Sequence, residues 1–418
     1  MNFKPNILHL FKTSYPSLSG YTVRSHYLFA KQKTFANPYA VVDPYYIRKD
    51  KPDIIENNAY YRYPLNLKLN LFNNHQLLQG FIFKKLSKSI FLSILKTPLP
   101  FIRWIVKEKK IDLIHGHTYA TFSRFGEKVA REEKIPFIYE VRGFWEDSRV
   151  AVGRLKEFGY QYMKERMIET TLMKKADVLI TLGKMMKKEI ASRGIDSDKI
   201  FIVPNGVDIE RFQPEPPDVN LKHYLGIEST RVIGYLGTIQ EFEGIEILIQ
   251  ALKLIKREIE NSVLLLIGAC HDSYKSKLKK LTKKLGLTNS VRFIGRIEQS
   301  KIKNFYSIID IVVIPRINAR VCRLVTPLKQ LEAMAMKKVV ITSDLPALRE
   351  IVKPGVSGDI FKAGDPSELA EKISYYLTNQ ERFDHLSETA REYVQNNHDW
   401  NKIAKKYYFI YKQLLEHN

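Results

Sequence analysis

The sequence predicts an α/β protein built from two doubly wound domains that face each other across a cleft. Three observations carry that prediction. The chain has 418 residues, too many for one ordinary core and right for two domains of ~200. Short β-branched runs alternate with longer helical patterns throughout, as parallel α/β units require. A Pro-rich polar stretch, "PNGVDIERFQPEPPDVN" at 204–220, separates a first set of such units from a second. The domains are accordingly placed at 1–205 and 206–395, with a final helix at 396–418.

In chain order, the first half offers "NILHLF", "AVVDPYYI", "DLIHGHT", "PFIYEVRG", "ADVLITLG" and "KIFIVPNG" as strands, and a long helix from about Lys156 to Lys175. The second half restarts with "RVIGYLGTI", "SVLLLIGA", "VRFIGRI", "DIVVIP" and "KVVITSD". Ligands of such sheets bind outside the carboxyl ends of the strands, so the residues just after each strand are the candidates. After the first strand, "SLSGYTVRS" leads into a helical pattern from about Val23, and Gly20 lets backbone approach a ligand. In "DLIHGHT", His115 and His117 are expected on opposite faces of the strand, one of them toward the cleft. A zinc site is not expected, because no third ligand lies at suitable spacing. "YEVRGFWED" gathers Arg142, Gly143, Glu146 and Asp147 after apolar residues, either at the mouth of the cleft or on an exposed loop.

Composition narrows the function classes. With 44% hydrophobic and 27% charged residues the chain reads as globular, and two cysteines supply neither a disulfide framework nor a metal-ligand spacing. A reducing, cytoplasmic compartment fits. No run of 18 apolar residues predicts a membrane span, and "MNFKPNILHLF" reads as a first strand rather than a signal peptide. Lys plus Arg exceed Asp plus Glu by 67 − 45 = 22, which points to an anionic partner. From Asn57 to Lys107 there is no Asp or Glu but eight Lys or Arg. Within it, the segment 81–110 spaces Phe83, Leu86, Ile90 and Ile94 helically, with Lys84, Lys85 and Lys88 on another side. This is the composition of a helix docked on an anionic membrane surface, or of a core-packed helix with a solvated basic face. No nucleic-acid motif accompanies the charge, and no G-x-G-x-x-G supports a nicotinamide or flavin enzyme.

In "VTPLKQLEAMAM", 325–336, Thr326 is a good N-cap and Pro327 suits the first helical position, so a helix is expected from Pro327. Its first N–H groups and Lys329 would meet an anion, and Glu332, one turn on, would accept hydrogen bonds from a diol.

"FIVPNGVDIERFQP", "VIGYLGTIQEFEGIEILIQAL", "VRFIGRI", "DIVVIP", "PLKQLEAMAMKKVVITSD" and "PALREIVKPGVSGDIFKAGDPSELAEKI" together resemble the retaining family-4 glycosyltransferases of GT-B fold. "SGYTVRS" and "YEVRGFWED" are similar to the branch that builds bacterial surface polysaccharides. The resemblance implies two Rossmann-like domains: an acceptor-binding one first, a nucleotide-sugar-binding one second, and a last helix from about Trp400 crossing back. It implies Glu332 on the ribose, His117 aimed at the donor sugar, Gly20 beside the transferred sugar and its phosphate, and Arg296 near the base. Thr238, Arg323, Thr326 and Leu328 complete the expected donor side, and Arg142 and Glu146 the acceptor side. A metal-independent transfer needing no cofactor follows, from a UDP- or GDP-linked sugar to a saccharide or lipid-linked acceptor on the inner face of the cytoplasmic membrane.

The family usually carries a second Glu where this chain has Leu324, and an Arg and a Lys where it has Thr238 and Glu243. Arg316 and Lys329 are therefore expected to stand in for the missing cations beside the leaving diphosphate. A glycosidase is disfavoured by the lack of a placed carboxylate pair. "DSD" at 196–198 matches the letters of a metal-binding D-x-D but lies in a polar turn. A sugar-nucleotide epimerase of the same fold, and a non-catalytic basic protein of the membrane surface, remain as alternatives.

Overall fold

The computed structural model describes residues 4–14, 19–43, 54–55, 58–62 and 98–416. Its first lobe runs β1 (Asn6–Phe11), α1 (Gly20–Gln32), β2 (Asn37–Val42), β3 (Ile54–Ile55), β4 (Asn58–Arg62), α2 (Leu99–Glu108), β5 (Leu113–His117) and α3 (Ala120–Glu133). It continues with β6 (Phe137–Val141), α4 (Trp145–Ala151), α5 (Tyr160–Lys175), β7 (Val178–Thr181), α6 (Lys184–Ser192) and β8 (Ile200–Ile202). The strands order as β3-β4-β2-β1-β5-β6-β7-β8, parallel except for the β3–β4 pair. The second lobe opens with α7 (Val219–Leu225), β9 (Arg231–Leu236), α8 (Ile245–Ile255), β10 (Ser262–Ile267), α9 (Asp272–Lys284), β11 (Val291–Gly295), α10 (Ile302–Ile308) and β12 (Ile311–Ile314). There follow α11 (Arg320–Leu324), α12 (Lys329–Ala335), β13 (Val339–Ser343), α13 (Pro346–Arg349), β14 (Asp359–Phe361), α14 (Pro366–Thr378), α15 (Gln380–Asn397) and α16 (Trp400–Glu416). Its strands order as β11-β10-β9-β12-β13-β14, all parallel.

Central strands such as β10 (SVLLLI) and β12 (IVVI) are buried along their whole length. Continuous apolar runs are what a sheet covered on both faces demands. In the first lobe α2, α3, α5 and α6 cover one face of the sheet, while α1 and α16 cover the other. Trp400, Ile403, Tyr407 and Tyr411 of α16 pack with Ile7, Tyr27 and Leu28, so the end of the chain lies in the core of the first lobe.

Two chain crossings join the lobes side by side. The Val207 N–H donates to His398 O at 2.8 Å, and the Trp400 N–H to Val207 O at 3.2 Å. Gly206 fits there because a Cβ would meet the Trp400 ring at 2.9 Å. A second contact spans the lobes farther out. The Glu350 carboxylate accepts from the N–H groups of Lys184 and Met185, both at 2.7 Å, and so caps the open end of α6 from the opposite lobe.

The window 81–110 divides. Residues 81–97, with Lys84, Lys85 and Lys88, lie outside the described residues. The remainder, α2, turns Ile102, Ile105 and Val106 into the core and exposes Trp104. Its buried apolar stripe therefore packs on the sheet. "DSD" forms a tight turn before β8. The helix expected from Lys156 begins at Tyr160, because Gly159 is extended and cannot continue a helix backwards.

Candidate functional site

Two adjoining cavities fill the space between the lobes, of about 490 Å³ and 420 Å³. They share Ser19, Gly20, Arg316, Pro327 and Leu328. The smaller lies over the carboxyl ends of β9 and β10 and is lined by Gly237, Thr238, Gly268, Arg296, Lys329 and Glu332. Backbone is drawn close there: Gly268 has φ +142°, and a Cβ on it would lie 1.9 Å from Gly237 O. On the opposite wall, α1 begins at Gly20, with Ser19 and Thr22 forming a reciprocal cap.

The helix that carries Lys329 and Glu332 departs from expectation. It starts at Lys329 rather than Pro327, its N-cap is Leu328, and no side chain caps it. Thr326 is used differently: its carbonyl accepts the Asn205 amide at 3.0 Å across the lobes. The interlobe contact outcompetes the local capping that Thr-Pro favours.

Lys329 and Arg316, the expected cations, both line the smaller cavity, but they converge on Glu243. Arg316 grips its carboxylate with two N–H groups at 3.0 and 3.3 Å, and the Lys329 ammonium donates to it at 2.8 Å and to the Tyr235 hydroxyl at 2.5 Å. Burial pushes the Glu243 carboxyl up, but the two cations outweigh burial and hold it at about 2. Burial also lowers the Lys329 ammonium, with Glu243 opposing. The cluster carries one net positive charge. Gly244, at φ +71° and packed on Pro315 O, fixes the turn that presents Glu243.

Glu332 lies on the floor of the same cavity, where the Tyr306 hydroxyl donates to it at 3.1 Å. Burial raises its carboxyl to about 7, against the pull of Tyr306 and Arg211. A folded-state value above the unfolded one, about 4.3, means that the folded chain binds this proton more tightly. The contribution to stability is full below about pH 4 and is lost as pH rises through about 7. Glu332→Gln cannot ionise, so it is expected to resist urea better than wild type at about pH 8, by on the order of 3 kcal/mol. The gap should close toward pH 4, and a gap independent of pH would show that ionisation of Glu332 is not its cause.

The histidines depart further. Residues two apart on a strand share a face, and His115 and His117 stack with ring centroids 4.2 Å apart on one side of β5. His117 is 1% exposed and does not line either cavity. Arg142 donates to its Nδ1 at 2.8 Å, so Nε2 carries the proton and donates to His9 Nδ1 at 2.9 Å. His9 Nε2 donates in turn to Gln32 Oε1 at 2.7 Å, and the Gln32 amide to the Tyr411 hydroxyl at 2.7 Å. Burial, followed by Arg142, holds His117 well below the usual histidine range, so it is a neutral relay in the wall behind the cleft.

A third histidine thus does join the pair, with ligand atoms of all three within 4.8 Å. Two nitrogens bound to one zinc at ~2.1 Å stand about 3.4 Å apart in a tetrahedron. The 2.9 Å between His117 and His9 is the spacing of a shared proton instead.

Among the acceptor-side candidates, Arg142 lines the larger cavity, together with Lys12, Tyr119 and Trp145. Glu146 does not: it is 1% exposed and pairs with the buried Arg193 at 2.9 Å. Arg323 also stays out of both cavities and donates to Asn318 Oδ1 at 3.1 Å.

Sequence reasoning missed the group that ties the wall together. Arg24, 1% exposed, uses all five of its N–H groups. They reach Glu140 Oε1, Val203 O, Pro204 O, Asn205 Oδ1 and the Tyr407 hydroxyl, at 2.7 to 3.2 Å. The Tyr407 hydroxyl donates to Glu140 Oε2 at 2.8 Å, and Arg142 Nε to Glu140 Oε1 at 2.8 Å. Burial alone would raise the Glu140 carboxyl, but Arg142 and Arg24 hold it well below the carboxylate range. The one signal in the sequence was Arg24 four residues after Gly20, on the buried side of α1.

Comparison with known proteins agrees with this architecture. Residues 79–211 match the model of Glycosyltransferase Family 4, and residues 221–393 that of Glycosyl transferases group 1. A lipopolysaccharide 1,2-N-acetylglucosaminetransferase of Salmonella typhimurium is 27% identical over 243 residues, covering 55% of this chain and 61% of that protein. The chain spans 59–63% of the length of four curated relatives and 71–72% of four others. A glycosyltransferase from Rickettsia africae superposes over 99% of this chain and all of its own, at 19% identity and a TM-score of 0.74. Anabaena HepE, solved with UDP and glucose, covers 98% of this chain with all of its own, at 17% identity and a TM-score of 0.73.

Proposed function

From the premise that the chain belongs to the glycosyltransferases of GT-B fold, with relatives in lipopolysaccharide and capsule synthesis, we propose that it transfers a sugar from a nucleoside-diphosphate sugar to a saccharide acceptor. The observation that carries this reading is the smaller cavity. It sets a half-buried carboxylate, Glu332, within one helical turn of a cation, Lys329, beneath glycine backbone at the carboxyl ends of β9 and β10. A ribose diol satisfies Glu332, and Lys329 and Arg316 stand where the leaving diphosphate would gather charge. The Anabaena protein's UDP supports a uridine nucleotide in first place.

In the reaction so proposed, an acceptor hydroxyl bonds to the sugar as the bond between the sugar and the diphosphate breaks, and the departing diphosphate gains negative charge and takes up the hydroxyl proton. Lys329 and Arg316 stabilise that charge by turning from Glu243 toward it, with no metal ion and no cofactor. The acceptor occupies the larger cavity, where the half-exposed Trp145 ring offers a sugar ring an apolar face. Retention of configuration, and a lipid-linked acceptor on the inner face of the cytoplasmic membrane, complete the proposal.

The test is a thermal-shift screen of UDP-, GDP- and other nucleotide sugars against wild type and Glu332→Ala. One nucleotide class should raise the Tm of wild type and fail on the variant. Stabilisation of both alike moves the nucleotide elsewhere.

Glu243 favours a second reading, a nucleotide-sugar-binding protein without transfer, because it neutralises one of the two cations. Release of free nucleotide on adding an acceptor panel separates the two readings. An epimerase would interconvert the sugar with no acceptor present.

A further inference from the structure

Helix α5 is apolar on two sides. Its inner side buries Tyr162, Leu172 and Met173 against the first lobe. Its outer side leaves Tyr160, Met163 and Met167 exposed at 83%, 48% and 63%, and Phe158 in the preceding loop at 65%. A helix that needs only to cover a sheet has no use for that outer face. Tyr160, Met163 and Met167 follow each other at three and four residues, so they form one stripe. Phe158 is held at φ +57°, a backbone region that aromatic residues rarely occupy, with its ring edge-on to Tyr162.

The stripe is interleaved with exposed cations: Arg154 and Lys156 in the loop, Lys164 and Lys174 on the helix. None of these four has an ion pair among the described residues. The nearby acids are differently placed: Glu165 pairs with Arg149 and Glu169 is buried, leaving Glu157 exposed. Aromatic and thioether side chains among cations match the boundary of an anionic leaflet, where the rings meet the acyl region and the ammonium groups meet phosphates. α4, which packs against α5, carries the half-exposed Trp145 at the rim of the larger cavity. The face therefore adjoins the side of the cleft given above to the acceptor.

We propose that the loop Arg154–Gly159 and the outer face of α5 seat the first lobe on an anionic lipid surface, which presents a lipid-borne acceptor to the larger cavity. The docking surface stands by itself. Only its link to an acceptor rests on the proposed function.

The test uses the full chain with vesicles of phosphatidylcholine alone or mixed equally with phosphatidylglycerol. Wild type should sediment with the mixed vesicles and stay in solution with the neutral ones. F158S/M163S/M167S and K156E/K164E/K174E should each lose at least tenfold in partition. Near-ultraviolet circular dichroism, and the nucleotide-induced Tm shift where one exists, check that each variant is folded and its donor cavity intact. Equal partition of all variants, absence of vesicle binding by wild type, or a wild-type dimer that the serine substitutions dissociate would each overturn the proposal. A missing nucleotide shift with vesicle binding preserved would count against the donor reading alone.

Discussion

Lys329→Ala is expected to lower kcat by about 10²–10³ and to change the KM for the donor by far less. Removing one donor from a charge-stabilising set typically costs that much, because its partner forms only in the transition state. In the resting structure the Lys329 ammonium is held by Glu243 and Tyr235, so ground-state binding gains little from it. Arg316 still pairs with Glu243 in the variant, so the fold keeps that carboxylate satisfied. Steady-state kinetics with the nucleotide sugar found by thermal shift reads the split. Undiminished kcat would remove Lys329 from the reaction, and a rise in KM alone would make it a binding group.

Arg24→Met should produce the largest loss of stability, about 3–5 kcal/mol, because it strands a buried carboxylate and four further acceptors. Glu140, fully buried, keeps Arg142 and Tyr407 but loses the bond to Arg24 Nε. The sign of the pH effect follows. The Glu140 carboxyl is held below its unfolded value, so its contribution is present above about pH 4 and is lost as pH falls through the depressed value. The variant should therefore begin to unfold at a higher pH than wild type on acid titration. Urea unfolding near neutral pH and circular dichroism against pH measure the two effects. A loss under 1 kcal/mol would mean that water or Arg142 replaces Arg24 without cost.

The same cluster shows what could be read in advance. Strands β5 to β13 fall inside the runs chosen by composition, since period and apolar run length are local properties, whereas the three-residue β14 was not among them. Lys329, Arg316, Glu332, Gly20, Thr238 and Arg296, named from the sequence, all line the smaller cavity; Thr238, Arg296 and Arg316 lie just after strands, whereas Lys329 and Glu332 lie on α12. His117 satisfies the same rule, yet its ring turns inward. The choice was made by Arg142, His9 and Gln32, which come from three other elements. Thr326 likewise obeys the local rule for a helix start and is captured by Asn205 from 121 positions away.

The sequence by itself determined two doubly wound halves, a cleft between them and the residue types at its edge, since each follows from spacing within a few neighbours. Only the tertiary structure decided which of those residues face the cleft. A buried charge or imidazole orients toward whichever partner offsets its desolvation, and those partners lie on other elements: Glu243 between Arg316 and Lys329, and Glu140 between Arg24 and Arg142.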